Sequence, residues 1–438
     1  MKHSIHSFAP AIVSAGLLLL ARPTHAADYY FSHYSGEAGA VGRFSVEGNP
    51  PKLGSLRDIG EDKEAFRLTR LRMGPGGRLF GMNESNDAPW VLAFDPATKS
   101  ANPKRIVLGD RPTELRVAGK FLLTTGHRGM LHLIDPATDT VAATWTPPAG
   151  IGRVTDFAAL PDGSAVIGIA RQDSTTGNVK GHRVMVFDLP SLKLRHDLQL
   201  PRNQAGLHFK PDGKDSGPGP LFVLLSPATN TILIGLNAYG AVQLADLDGV
   251  LKGEWRNSTV LPTSADGAWG TSFPSVGTTF TAGGRDYALI GNGSVEGGSV
   301  LVDLAARKIT QQLATGPRSL NLPVHQPGSK RIVALSTGVE YTRGDIGIND
   351  KHVEPSHFFV IDLAPLETGG QAAVKRITLP EFIYEGTPVD PANDDLWVIA
   401  VRNPQTAALS LVLFDVAQEK ELGRRTSPGV VRNFVPAS

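Results

Sequence analysis

The residues best equipped for chemistry in this chain are arginines that recur beside turns. Arg67, Arg128, Arg153, Arg171, Arg318, Arg343, Arg402 and Arg432 stand at or near the ends of short apolar runs. A guanidinium stays charged and grips carboxylate or phosphate oxygens through parallel N–H donors. Glu84, Glu385 and Tyr341 occupy comparable positions. Gathered on one face, this set would attract a small anion. The competing expectation is that the arginines pair with Glu84, Asp156, Glu340 and Glu385 and only tie neighbouring elements together. A second candidate set is His33, His127 and Glu84, whose nitrogen and oxygen donors suit a divalent metal ion. No short His-to-His spacing supports it. His132 and His325 sit inside strand patterns and read as structural.

Other chemistry is excluded by what is missing. There is no cysteine, which rules out disulfides, thiol catalysis, cysteine metal ligands and covalent c-type haem. No Gly-x-Ser-x-Gly elbow, P-loop or His-Glu-x-x-His helix occurs. The formal net charge of the 438 residues is +1 and like charges do not cluster, so neither nucleic acid nor an anionic membrane surface is an expected partner.

The N-terminus carries an address. Lys2 precedes an apolar stretch from Ala9 to Ala21, and Thr24-His25-Ala26 offers a cleavage site. That layout is a secretory signal over residues 1–26. The apolar run falls short of the roughly 20 residues that span a bilayer. The expectation is a periplasmic or secreted protein, residues 27–438, without a transmembrane segment once the signal is cleaved.

The elements that must position the candidate residues are strands. Gly (48) and Pro (32) are spread along the chain and leave few windows long enough for a helix. Between them lie runs such as Val184-Met185-Val186-Phe187 and Phe358-Phe359-Val360-Ile361, rich in branched and aromatic residues. One pattern repeats: a strand, an acidic residue, a turn, a polar strand. The acidic residues are Glu47, Asp95, Asp135, Asp188, Asp246, Asp303, Asp362 and Asp415, and subtraction gives steps of 48, 40, 53, 58, 57, 59 and 53. Asp accepts hydrogen bonds from the backbone of its own turn, so these acids read as structural. A second turn precedes each, as in Leu160-Pro161-Asp162-Gly163. Each unit is then four strands, a to d, with the acid after c. Tandem four-stranded units at this period are propeller blades.

Ile134-Asp135-Pro136-Ala137-Thr138-Asp139-Thr140-Val141 resembles the YVTN-type β-propeller repeats of bacterial exported and surface proteins. The resemblance is close only around residues 112–146. It implies a WD40-like or quinoprotein amine dehydrogenase-like architecture and no particular activity.

The fold class expected is therefore all-β: a single β-propeller of four-stranded blades. The acidic turns count eight blades; a unit wrongly split around Gly206–Pro220 would leave seven. The first unit lacks strand a, while Val430–Val435 at the C-terminus is an orphan strand. Pairing the two closes the ring and removes open edges. In such a ring, b–c loops and the approaches to strand a share one face near the axis, a concave place that ligands favour. Of twenty-two residues expected there, eight are arginines. An unusually long b–c segment, Thr337 to Ser356, adds Tyr341, Arg343, His352 and several acids and reads as a lid or a solvated insertion. The function expected is a monomeric, exported binding module for a small anionic ligand or a protein partner, its cofactor unknown. The alternative is a periplasmic enzyme on the same scaffold: a metal-assisted lactonase or lyase using a divalent metal ion, or the propeller subunit of an amine-dehydrogenase-like oxidoreductase.

Overall fold

The computed structural model describes residues 27–437, apart from 36–37, 63–67, 84–88, 98–102, 149–152, 171–181, 201–218, 238–239, 264–273, 293–297, 316–321, 325–329, 337–338, 343–350, 355 and 391–392. The leader expected over residues 1–26 lies outside the described residues. Eight antiparallel sheets follow one another along the chain, each of four strands, with the outer strand of the first divided in two. The molecule is an eight-bladed β-propeller. Blade 4 shows the plan: strands Val154–Ala159, Ala165–Ala170, Arg183–Asp188 and Lys193–Gln199 pair in that order. Among the described residues no helix is long and apolar enough to cross a membrane.

Burial explains why the units cannot stand alone. Strand b of blade 4 is buried at every position, while its strand d alternates exposed and half-buried residues. A sheet apolar on both faces needs a cover on each. The buried side chains fall into eight clusters, and each is shared by two neighbouring blades. Val184 and Ile232, for instance, belong to the cluster between blades 4 and 5. The repeated acids behave as their turns require. Asp95 and Asp135 accept the N–H groups of Ala97 and Ala137 at 2.9 Å, and Asp415 accepts that of Gln418 at 2.9 Å. After Asp246 and Asp362 the turn is instead a short helix, Leu247–Leu251 or Ala364–Glu367. Blades are further linked at their rims by Arg78–Asp139, Arg307–Asp246 and Arg331–Asp395.

The ring closes where the orphan strand implied. Val430–Pro436 pairs antiparallel with Ala27–Ser35 as strand a of blade 1. Phe434 packs against Phe31 and Phe44, and the Tyr29 hydroxyl donates to the carbonyls of Pro388 and Val389 in blade 8 at 2.8 and 2.6 Å. The seam leaves no slack: a Cβ on Gly42 would lie 2.3 Å from the Phe31 ring. Within the long insertion of blade 7, Val339–Thr342 and Lys351–Glu354 pair antiparallel as a two-stranded sheet.

Phe434→Ala removes a buried ring from this seam and is expected to cost about 3 kcal/mol. Removing residues 430–438 is expected to lower the urea midpoint further and broaden the transition. Val107, 67% exposed on an outer strand, provides the control: its change to Ala should shift stability by less than about 0.5 kcal/mol. Unaltered urea unfolding of the truncated chain contradicts closure by this strand.

Candidate functional site

The innermost strands contact one another around the axis, and nearly all share one irregularity. In seven blades strand a carries a β-bulge near its start. The extra residues are Arg432 in blade 1, Arg70 beside Leu71 in blade 2, Thr113 in blade 3, Thr155 in blade 4, Leu221 in blade 5, Ser275 in blade 6 and Tyr384 in blade 8. Arg70 has φ +51°, the left-handed region, so its side chain leaves the regular pleat. A bulge re-aims the residues beside it and tightens the local twist. The first residue back in register is Asn433, Arg72, Glu114, Asp156, Phe222, Val276 or Glu385, going round the same blades. Five consecutive blades, 8 and 1 to 4, therefore bring a polar or charged residue to one level of the hub.

These residues form a connected charge network. Glu114 is buried and lies 3.4 Å from Arg70, 4.0 Å from Arg72 and 3.7 Å from Arg116. Arg116 crosses to Asp156 of the next blade at 2.5 Å, and Asp156 also accepts the Val223 N–H at 2.9 Å. Burial raises the Asp156 carboxyl above the ordinary range, against the pull of Arg116. Arg72 donates to the Leu71 carbonyl at 2.9 Å and to Asn433 Oδ1 at 3.3 Å. Burial pulls its pKa down, with Glu114 opposing that shift. Glu385 differs from its counterparts. It is 8% exposed, and burial pushes its pKa from 4.5 up to about 8 although Arg70, Arg72 and Arg432 all favour the ionised form.

Two arginine–tyrosine pairs stand on blades 1 and 8. Arg432 donates to the Tyr34 hydroxyl at 3.1 Å, its guanidinium 5.4 Å from that ring. In blade 8 the roles are exchanged between strands: Arg402 donates to the Tyr384 hydroxyl at 3.4 Å.

The sequence-derived candidates divide accordingly. Glu385, Arg402 and Arg432 come together on blades 8 and 1. Arg128 and Arg153 are exposed at the blade 3–blade 4 junction, where Gly129 presses against Arg153 and the Arg128 N–H donates to Asp110 at 2.5 Å. Tyr341 lies on the strand Val339–Thr342. Arg67, Glu84, Arg171, Arg318 and Arg343 lie outside the described residues. The expected metal set is not assembled among described residues. His33 is buried on blade 1, 3.6 Å from Asp58, and burial lowers its pKa against the opposing effect of Asp58. His127 is exposed on blade 3 with Arg111 against its Nδ1 at 3.1 Å. No described group of three or more His, Cys, Asp or Glu could hold a metal ion. Arg70, Arg72, Glu114 and Arg116 were not anticipated. Their signal was four charges within the two innermost segments, Leu68–Met73 and Pro112–Ala118.

No protein-family model matches the sequence, and no curated protein matches it. Solved structures share the fold. The dihydro-heme d1 dehydrogenase NirN, solved in complex with DHE, is 14% identical, with a TM-score of 0.63 over 95% of this chain and 76% of that one. The β-propeller domain of Myceliophteria thermophila Cps50 (Swd1) is 12% identical, with a TM-score of 0.48 over 74% and 89%. Kuenenia stuttgartiensis hydrazine synthase is 14% identical, with a TM-score of 0.43 over 68% and 74%. At these identities the likeness is one of architecture.

The raised pKa has a defined consequence for stability. Between pH 4.5 and about 8 the folded chain holds a proton on Glu385 that the unfolded chain has lost, so stability falls as pH rises through that window. Glu385→Gln is expected to change stability by less than about 1 kcal/mol at pH 5 and to raise it by roughly 4 kcal/mol at pH 8.5. Chemical denaturation at both pH values reads the difference. Equal effects at the two pH values contradict the raised pKa.

Proposed function

We propose that this protein is an exported binding propeller that takes a small, carboxylate- or phosphate-bearing ligand at the hub of blades 8, 1 and 2. Export by the leader at residues 1–26 and kinship with the YVTN-type repeat around Ile134–Thr144 belong to the same reading. The observation that carries it is the imbalance of charge at one level of the hub. Arg70, Arg72 and Arg432 all act on Glu385, which keeps its proton to about pH 8, and Arg402 stands on the same blade beside Tyr384. Glu114 offsets only part of that positive charge. Guanidiniums partly shielded from water, as Arg72 is, bind oxyanions more strongly than they do in open water. The Tyr34 and Tyr384 hydroxyls add donors and their rings add flat apolar surface, which suits an organic acid better than a bare inorganic ion. A haem-type ligand, with its carboxylates and flat ring, belongs in the panel of probes.

Arg432→Ala and Arg70→Ala are each expected to weaken binding of the tightest anion in a panel of sulfate, citrate, benzene polycarboxylates and haem by roughly tenfold or more, the range of one charge-assisted hydrogen bond. Arg256, exposed and paired with Glu254 outside the hub, is the control, and its change to Ala should leave affinity unaltered. Isothermal titration calorimetry checks all three. Binding that survives both hub substitutions unchanged, or a wild-type chain that binds nothing in the panel, sinks the proposal.

A further inference from the structure

Three carboxyls occupy the same register position on strands a of three blades, yet they are treated differently. Glu114 has three guanidiniums within 4.0 Å, and Asp156 has Arg116 at 2.5 Å. Glu385, as buried as Glu114, has no ion pair among the described residues, and the hydrogen bond it accepts comes from the N–H of its own neighbour Gly386 at 3.4 Å. Three arginines are close enough to act on it electrostatically and none closes on it. A buried polar group without a strong partner demands an explanation, and an unoccupied ligand position is one.

Resting on the anion-binding reading of the hub, we infer that Glu385 meets the ligand as a neutral carboxylic acid, donating its O–H to the anion and selecting fully ionised oxyanions that can only accept. The arginines supply donors alone, and so does a protonated carboxyl in this role. An ionised Glu385, itself buried, would set a carboxylate against the bound anion away from water, where like charges repel most strongly. The proton already sits on Glu385 at neutral pH, since its pKa is raised to about 8. Binding therefore takes up no proton below that pH and takes up one above it, with the proton passing from solvent to a Glu385 oxygen.

The charged groups facing Glu385 from the packed elements are few. Blade 1 contributes Arg432 and blade 2 contributes Arg70 and Arg72. On its own blade Arg402 is engaged with Tyr384. On blade 7 Arg331 is paired with Asp395, and His357 sits against Arg376 with its pKa lowered to about 4. His357 is therefore neutral throughout the relevant range and does not titrate with Glu385.

Sulfate tests this directly, because it stays dianionic from pH 6 to 9.5 and any pH dependence belongs to the protein. Calorimetric titration of the full chain in two buffers of different ionisation enthalpy gives affinity and proton uptake together. The expected affinity is flat to about pH 8 and falls about tenfold per unit above it, as a single obligatory proton requires. Uptake should approach one proton at pH 9.5, a reading on the wild-type chain that needs no variant. Glu385→Gln, neutral at every pH, should bind sulfate with no change across the range and no proton uptake. A wild-type chain with flat affinity and no uptake, or a Gln variant that keeps the pH dependence, overturns the role of Glu385 and leaves the hub as an anion site. Failure of sulfate to bind at any pH, with the wider anion panel failing as well, overturns the anion site itself and this role with it.

Discussion

A four-stranded blade of this chain is apolar on both faces and has no means of burying either by itself. Everything else follows from that constraint. Each face must be covered by another blade, the covering blade has the same need, and only a closed ring leaves no face bare. The eight shared clusters, one per junction, are the result. Closure is also why the two ends of the chain meet. Phe434 completes an aromatic cluster with Phe31 and Phe44 that belongs to a sheet begun some four hundred residues earlier, and Tyr29 ties that sheet to blade 8.

Closing the ring crowds its innermost strands, and their bulges are where the crowding becomes useful. One extra residue per strand turns the pleat, so residues that would face a neighbouring blade are brought to the hub instead. On blades 8 and 1 to 4 that level is charged or polar. On blade 5 it is Phe222, which packs into the junction with blade 6. The hub is thus asymmetric in a ring whose blades are otherwise alike. Ion pairing between blades and ligand attraction are not exclusive outcomes here. Arg116 and Asp156 do the first, and the binding proposal assigns Arg432, Arg402 and Glu385 to the second.

Much of the architecture was legible because it rests on local signals. The acid-plus-turn repeat fixed the number of blades: an Asp that caps its own turn leaves the same mark each time, as Asp95, Asp135 and Asp415 show. In blade 4 the apolar run Val184–Phe187 falls inside the strand Arg183–Asp188. The hub was less legible. A bulge shifts the period of two by one residue, and Arg70 with its positive φ is invisible to any pattern that assumes a regular strand. Arg72 and Glu114 sit in plain view in the sequence, but nothing local says that strands from blades 2 and 3 will set them side by side. The metal set is not assembled among the described residues, and Glu84 lies outside them. His33 lies within the strand Ala27–Ser35 of blade 1, while His127 lies in a turn of blade 3. Arg402, Arg432 and Glu385 lie on blades 8 and 1, which the ring closure itself brings together.

The central claim is that the bulged strands of blades 8, 1 and 2 build one anion site over Glu385. Crystals soaked in selenate test it most directly, since the selenium marks a tetrahedral oxyanion by anomalous scattering. The account predicts an anomalous peak bounded by Arg70, Arg402 and Arg432, with a Glu385 oxygen within hydrogen-bonding distance of the anion at pH 7. Selenate bound only elsewhere on the protein, with that position empty, would contradict it.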